Sequence, residues 1–453
     1  MRGFTSRPSL FTFAFFTIAA ASPSLFTPSP VQAQGSGSVA GQQRSSNVHI
    51  EGHLVGRFTD IDIEQELSRP YIYMTAHQGF DIINIKDTKK PHIMYSWSIE
   101  NKELHEGNGG ALSPILLKSK GRYYYTNSHQ YRNGTGPDQD LGAVVFDVTG
   151  LPDTSKIKEL ARIKVPEGLG GMHESFGYKH SSGRALLVTS TYTPYAYIYD
   201  IDQVVSGGPN KGVVGKIPLP DSASLWPPRM GNPRYAYHDM VVQYDVANKR
   251  DLFYGGSQGG YYVYDITDVA NPKVVATISG VSGVTWGHTY TPDPTGRYVV
   301  TEAEYQYAPL RLFDLKPALD GTAKTISRPI GAWTASWKGL PHNHEVRWPY
   351  VFVSTYADEF YVFNMMDPTN PYTVGFHDTA PGVDLDGEST FGVDVRNADG
   401  LVVTSGGRGL WMFKMDGFDG WNGHQWGLPN VSTAQDWDNG PDGAPKPQKV
   451  SVR

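Results

Sequence analysis

The sequence predicts an all-β protein, a seven-bladed β-propeller with four-stranded blades whose ring is closed by its own N-terminal strand. Three observations carry this. A short aromatic-apolar segment ending in Asp or a similar residue recurs seven times: Asp81–Asn84, Val144–Asp147, Tyr197–Asp200, Tyr262–Asp265, Arg311–Asp314, Tyr361–Asn364 and Trp411–Lys414. The spacing of roughly 50 to 65 residues is one at which repeats form propeller blades, and no helical pattern alternates with them. A β-branched or aromatic segment precedes each: Tyr71–Met74, Tyr123–Thr126, Leu186–Thr189, Leu252–Tyr254, Tyr298–Thr301, Val351–Ser354 and Leu401–Thr404. Finally, Asn47–Phe58 has the pattern of a last strand with no blade ahead of it, so it is expected to complete blade seven.

The composition agrees. Fifty glycines and 32 prolines supply turns, and 27 tyrosines suit pleated surfaces. Of 453 residues 39% are hydrophobic, enough for a large core. The formal charge of −6 leaves no basic surplus to neutralise phosphates, which argues against nucleic acid as a partner. The chain has no cysteine, so disulfides, thiolate ligands and thiol nucleophiles are all excluded.

In chain order, residues 1–33 read as a secretory signal peptide. Arg2 and Arg7 precede the apolar run Leu10–Ala21, and Val31-Gln32-Ala33 offers small residues for cleavage. The run is short of the roughly 20 residues that span a bilayer, so no integral membrane segment is expected after cleavage and the location is periplasmic or secreted. Residues 34–46 are small and polar, a flexible leader; 47–426 form the propeller; 427–453, rich in Gly, Pro, Asn and Asp, form an irregular tail.

Tyr262–Thr277 (YVYDITDVANPKVVAT), with Asp81–His92 and Tyr361–Val374, resembles an LVIVD repeat: an apolar strand, an Asp, a second Asp or Ser, then Asn-Pro before the outer strand. The match runs over nearly the whole mature chain and is looser in blades two, three and five. The resemblance implies an exported bacterial β-propeller. It implies no particular activity, because propellers host unrelated functions.

The candidate site rests on histidines. Pro341-His342-Asn343-His344-Glu345 holds two imidazoles one residue apart, which an extended strand turns to the same side. His173, His238 and His288 occupy matching positions in blades three to five, at the start of a first strand. First strands line a propeller's channel, so His173, His238, His288, His342 and His344 are expected to converge on one mouth as metal ligands; His105 is a further candidate, and Glu388 stands at the matching place in blade seven. A single such histidine more often locks neighbouring blades together, but this many favour a metal. Turns after the second strands bring His77, His129, Glu302, Glu304, Asp358 and Glu359 to the same face. Glu174, Asp239 and Glu345 each follow a candidate histidine and are expected to reach the imidazole of a neighbouring blade. Glu174, Glu345 and Glu302 are the candidates for orienting groups or a proton shuttle. Tyr237, Tyr290 and Trp286 stand beside the histidines as pocket walls or inter-blade packing. His180, His377, His92 and His424 read as surface residues.

Imidazole-rich ligation favours Cu or Fe, with Zn or Mn as alternatives. The arrangement is similar to that of carotenoid-oxygenase propellers, which hold iron on four histidines, and of selenium-binding/methanethiol-oxidase propellers, which use copper; no motif specific to either is present. The expectation is a metal-dependent oxidoreductase acting on a small-molecule substrate. The alternatives are a metal-dependent polysaccharide lyase or hydrolase, and a non-catalytic cell-envelope interaction module. Gly255-Gly256 and Gly406-Gly407 precede no helix and form no phosphate loop, and no Gly-x-Ser-x-Gly elbow supports a serine hydrolase.

Overall fold

The computed structural model describes residues 43–421 apart from 77, 101–108, 132–139, 168–169, 226–236, 306, 336–339, 357–358 and 382–389. The signal peptide, most of the leader, the tail, His77, His105, Asp358, Glu388 and His424 lie outside the described residues.

Seven antiparallel sheets make the seven blades of a propeller. Blade one runs Ile61–Ile63, Tyr71–Ala76, Gly79–Asn84 and His92–Ser98, and blade two Gly109–Ser119, Arg122–Tyr131, Leu141–Asp147 and Lys158–Lys164. Blade three is Met172–Lys179, Ala185–Thr191, Tyr195–Asp200 and Val213–Pro218; blade four is Tyr237–Asp245, Arg250–Ser257, Gly260–Asp265 and Lys273–Ser279. Blade five is Tyr290–Pro292, Tyr298–Thr301, Leu310–Asp314 and Gly331–Trp333, and blade six Pro341–Arg347, Tyr350–Thr355, Phe360–Asn364 and Tyr372–His377. Blade seven takes Val393–Arg396, Leu401–Thr404 and Leu410–Met415 and receives Val48–Leu54 as its fourth strand, with Val48 opposite Met415 and Leu54 opposite Leu410. Blade four departs from the four-stranded expectation: Thr325–Ile326 adds a short fifth strand, parallel to Lys273–Ser279.

The period-2 alternation of each strand decides which interface it fills. Leu186, Val188 and Ile198 pack with Tyr237, Phe253 and Tyr262 of blade four, while Ala185, Leu187 and Tyr197 turn back to Leu117, Tyr124 and Val145 of blade two. Seven such apolar clusters occupy the seven junctions, including Leu54, Met412, Ile61 and Ile72 between blades seven and one. At about 1.5–3 kcal/mol per fully buried large aliphatic or aromatic side chain, these junctions carry the fold without cross-links.

Two histidines assigned to the surface are core residues. His180 is 1% exposed, with Nε2 3.1 Å from the Ile266 carbonyl and Nδ1 2.8 Å from Ser182 Oγ. It belongs to a buried group around Asp251, which accepts from Tyr178 and Ser181 and joins blade three to blade four. His377 is fully buried, faces the Asp378 carbonyl at 3.0 Å, and is held neutral by burial, its pKa lowered to about 4. His92 is exposed, as expected. No described helix is long and apolar enough to cross a membrane.

Candidate metal centre at the channel mouth

The inner strands of blades three, four and six carry a β-bulge at one and the same position. Met172 pairs with Thr191 and Ser175 with Thr189; Tyr237 pairs with Ser257 and Met240 with Gly255; Pro341 pairs with Thr355 and His344 with Val353. In each case one extra residue is fitted in, and the two residues in the gap are His173-Glu174, His238-Asp239 and His342-Asn343. A bulge re-aims side chains and breaks the two-residue alternation. A hydroxyl on the second strand secures it in two of these blades: Ser190 Oγ accepts the Glu174 N–H at 2.8 Å, and Ser354 Oγ accepts the Asn343 N–H at 3.2 Å. Thr75 and Ser405 do the same for Asp60 and Gly392 in blades one and seven.

The first residue of each pair faces the mouth. The rings of His173 and His238 lie 4.1 Å apart, His238 and His288 4.0 Å, and His288 and His342 5.1 Å, with Phe391 of blade seven continuing the arc 4.0 Å from His342. The outward-facing nitrogens of three of these rings are anchored. His173 Nδ1 meets Gln130 Oε1, His288 Nδ1 meets Glu302 Oε2 at 2.5 Å, and His342 Nδ1 donates to the Phe391 carbonyl at 2.8 Å. That leaves Nε2 of each for the interior, the arrangement in which the partner of one ring nitrogen fixes the tautomer and direction of the other.

The inward nitrogens gather around Glu304. His238 Nε2 lies 3.9 Å and His288 Nε2 3.7 Å from Glu304 Oε2, and His173 Nε2 lies 2.8 Å from His238 Nε2. One ligand atom from each of His238, His288 and Glu304 falls within 4.8 Å of the others, so this buried cluster can hold a metal ion. One observation fits an ion there: His288 Nε2 is buried without a hydrogen bond. His173 Nε2 and His238 Nε2, 2.8 Å apart, share a hydrogen bond in which one ring is the Nε2–H tautomer. Glu304 is steadied by Tyr356, whose hydroxyl donates to its Oε1 at 2.9 Å.

The electrostatics separate the histidines. Burial opposes charge on His288, but Glu302, Glu304 and Asp239 outweigh it and raise its pKa to about 9. Burial pushes Glu302 up to about 7 against the pull of His288. His342 is held neutral, lowered to about 3 by burial and by the nearby His288, so its lone pair is available at neutral pH.

The predicted residues divide into three groups. His173, His238, His288 and His342 come together with Glu302. His344 does not join them: beyond the bulge it pairs with Val353 and lies against the Val300 backbone between blades five and six, held neutral near pKa 3 by burial. The expectation that His342 and His344 share a side assumed an unbroken strand. Glu174 and Glu345 lie in the channel, where Glu345 accepts from Arg347 at 2.6 Å. Of the carboxylates expected to reach a neighbouring imidazole, Asp239 does so through Thr289, whose hydroxyl donates to Asp239 Oδ2 at 2.9 Å and lies 2.9 Å from His288 Nδ1. Tyr237 and Tyr290 are inter-blade packing.

Gln130, Tyr356 and Phe391 were not foreseen. Gln130 and Tyr356 close second strands and Phe391 aligns with the histidines, so residue-by-residue alignment of the blades is the signal that finds them. No family model matches the chain, and no curated protein matches it.

Proposed function

We propose that this propeller is an exported metalloenzyme that holds one transition-metal ion on His238, His288 and Glu304, with His173 and His342 as additional nitrogen donors, and oxidises a small molecule at the channel mouth. The observation that carries the reading is the convergence of His238 Nε2 and His288 Nε2 on one half-buried carboxylate, Glu304, while Nδ1 of His288 and His342 is tied to a fixed partner. A nitrogen-rich donor set suits Cu, Fe or Zn better than Ca or Mg. When bound, such an ion supplies redox or Lewis-acid chemistry.

The chain's own residues would do the rest. Glu302 orients His288 and, with a pKa near 7, exchanges a proton at neutral pH. Tyr356 keeps Glu304 aimed inward, and Phe391 with the ring of His342 excludes water on one side. Glu304 is 20% exposed, the side from which a substrate can approach. Export rests on residues 1–33 and on the LVIVD-like repeats.

A second reading keeps the ion as a Lewis acid in a polysaccharide lyase. Tyr356 favours it, since a phenol hydrogen-bonded to a ligand carboxylate can serve as the acid or base that elimination needs.

Elemental analysis of protein exported to the periplasm tests the shared premise. About one equivalent of Cu, Fe, Zn or Mn is expected, falling below about a tenth in a His238→Ala/His288→Ala chain with an unchanged circular dichroism spectrum. A metal-free wild type, or metal unchanged in the double variant, would leave only an interaction module. A Cu or Fe electron paramagnetic resonance signal supports oxidation; Zn together with release of unsaturated sugars supports the lyase.

A further inference from the structure

His173 stands near the start of the inner strand Met172–Lys179 and His180 directly after its end, so the two imidazoles lie at opposite ends of blade three. The hairpin from that strand to Ala185–Thr191 turns on His180-Ser181-Ser182-Gly183-Arg184. The Gly183 N–H donates to the His180 carbonyl at 2.8 Å and the His180 N–H to the Arg184 carbonyl at 2.9 Å. Gly183 takes φ +85°, the left-handed position that closes a three-residue hairpin loop. This turn folds Ser182 back over the His180 ring: Ser182 Oγ lies 2.8 Å from His180 Nδ1, and the Ser182 N–H donates to the same nitrogen at 3.1 Å.

His180 Nδ1 is therefore the acceptor, and the ring proton sits on Nε2. Nε2 donates to the Ile266 carbonyl of blade four at 3.1 Å and lies 3.3 Å from Asp251 Oδ2. Asp251 is fixed in turn by the Tyr178 hydroxyl at 2.6 Å, the Ser181 N–H at 3.0 Å and the Ser181 hydroxyl at 2.5 Å. The tautomer is set from one side of the ring and the lone pair faces the Ser182 hydroxyl on the other. A serine–histidine–aspartate centre is recognised by such roles and not by sequence position; here the ring is used the other way round, with Nδ1 toward the serine.

Two further features suit chemistry at Ser182. Exposure is graded along the chain of groups, from Asp251 at 0% and His180 at 1% to an exposed Ser182, so the base is dry and the hydroxyl open. Arg184 Nε donates to Ser182 Oγ at 3.1 Å, and among the described residues its two terminal nitrogens have no partner. A guanidinium there faces the negative charge that develops when the hydroxyl attacks a carbonyl. The segment that supplies the Ile266 carbonyl also borders a hollow of about 240 Å³, lined by Asp265, Thr267, Asp268, Asn271 and Lys273. Its lining is polar, which suits an ester of a polar alcohol.

We propose that Ser182, His180 and Asp251 form a second site, an acyl-transfer centre for small carboxylic esters of polar alcohols. Ser182 Oγ bonds to the ester carbonyl carbon while its proton passes to His180 Nδ1, and Arg184 faces the oxyanion. The carbon–oxygen bond to the alcohol breaks, and the alcohol leaves with that proton. Water then attacks the acyl group; its proton moves through His180 Nδ1 to Ser182 Oγ as the carboxylic acid departs. Asp251 touches neither ester nor water and acts as a positioning residue, opposite the imidazolium that forms.

Reaction of the full mature chain with a fluorophosphonate, followed by peptide mapping in the mass spectrometer, is the test. Fluoride is displaced by an activated serine. One phosphonyl group per chain is expected on Ser182, gained at least about 100-fold faster than on the exposed Ser206, which has no histidine to take its proton. p-Nitrophenyl acetate should leave an acetyl group on the same residue. Ser182→Ala should take up neither group and keep its circular dichroism spectrum, since the side chain is exposed. The ratio of Ser182 to Ser206 labelling within one chain should fall about 100-fold in His180→Gln and about tenfold or more in Asp251→Asn and Arg184→Ala. A general loosening of the fold would not lower that ratio selectively; if the buried variants misfold, Arg184→Ala and the wild-type ratio decide. Ser182 labelled no faster than Ser206, labelling that persists undiminished in Ser182→Ala, or a ratio unchanged in Arg184→Ala would each overturn the proposal.

Discussion

His238 and Asp239 are neighbours in sequence and belong to two different chemistries. His238 stands in the imidazole arc at the mouth, where the groups are nitrogen donors with fixed tautomers; Asp239 belongs to the acidic channel below, where the groups are oxygen acceptors crowded around a void. The same division holds for His173 and Glu174, and for His342 and Asn343. A regular strand would turn such neighbours to opposite faces and send one of them into a blade junction. The bulge keeps both near the axis at different heights, and a second-strand hydroxyl holds it there. One repeated backbone irregularity thus builds two chemically distinct layers from adjacent residues.

The largest test of that division contrasts two histidines. His238→Ala should lower metal affinity by about a hundredfold or more, while His344→Ala, on the far side of the bulge, should change it by less than about threefold; competition against a chromophoric chelator reads both. Equal losses would mean that the bulge does not separate them. Next in size, Glu302→Gln removes the carboxylate that orients His288 and should cost about 10- to 100-fold in affinity with the metal stoichiometry retained. Smaller again is Ser354→Ala. It leaves the half-buried Asn343 N–H without its acceptor and the Phe391 carbonyl without the Ser354 hydroxyl, and should destabilise the chain by about 1–3 kcal/mol in urea denaturation, with some loss of metal as His342 shifts.

The propeller itself was legible because its signal is repeated. Each copy of a strand–Asp unit such as Tyr262–Asp265 is weak, but seven in register admit few other folds, and the unpaired Asn47–Phe58 pattern, within which the closing strand Val48–Leu54 falls, already implied closure. The mouth histidines were legible for the same reason, since equivalent positions in equivalent blades must meet on the axis. What sequence did not show is local. A bulge adds one residue without a motif of its own, so His344 was grouped with His342. His180 and His377 looked like turn residues, and only tertiary packing buries them. The acidic layer went unnoticed because its members, Asp60, Glu174, Asp239 and Asp394, differ in type and neighbours; they become a set only when the blades are closed into a ring.

The buried channel carboxyls and the histidines held neutral should answer pH in opposite ways. In the acidic channel, burial pushes Asp60 and Asp394 up to about 7, helped on Asp60 by the charges of Asp239, Asp394 and Glu345, and on Asp394 by Glu345 with Arg347 opposing. A folded-state pKa above the ordinary 3.8 means that the native chain keeps a proton the unfolded chain has released, so this layer costs stability increasingly from pH 4 to 7 and fully above. His342 at the mouth and His344 between the blades, both lowered to about 3, behave conversely: the unfolded chain takes up their protons first, and stability is lost as pH falls from 6.5 toward 3, whereas the contribution of His288, raised to about 9, is lost as pH rises from 6.5 toward 9. Asp60→Asn, whose amide oxygen can still accept the Ile61 N–H, removes one member of the first group alone. It should stabilise the chain by on the order of 1–3 kcal/mol at pH 8 and by less than about 1 kcal/mol at pH 4.5, where wild-type Asp60 is already neutral. Thermal melts across that range read the difference. A gain that does not shrink on acidification would mean that Asp60 is ionised in the native channel, satisfied by a cation or by water.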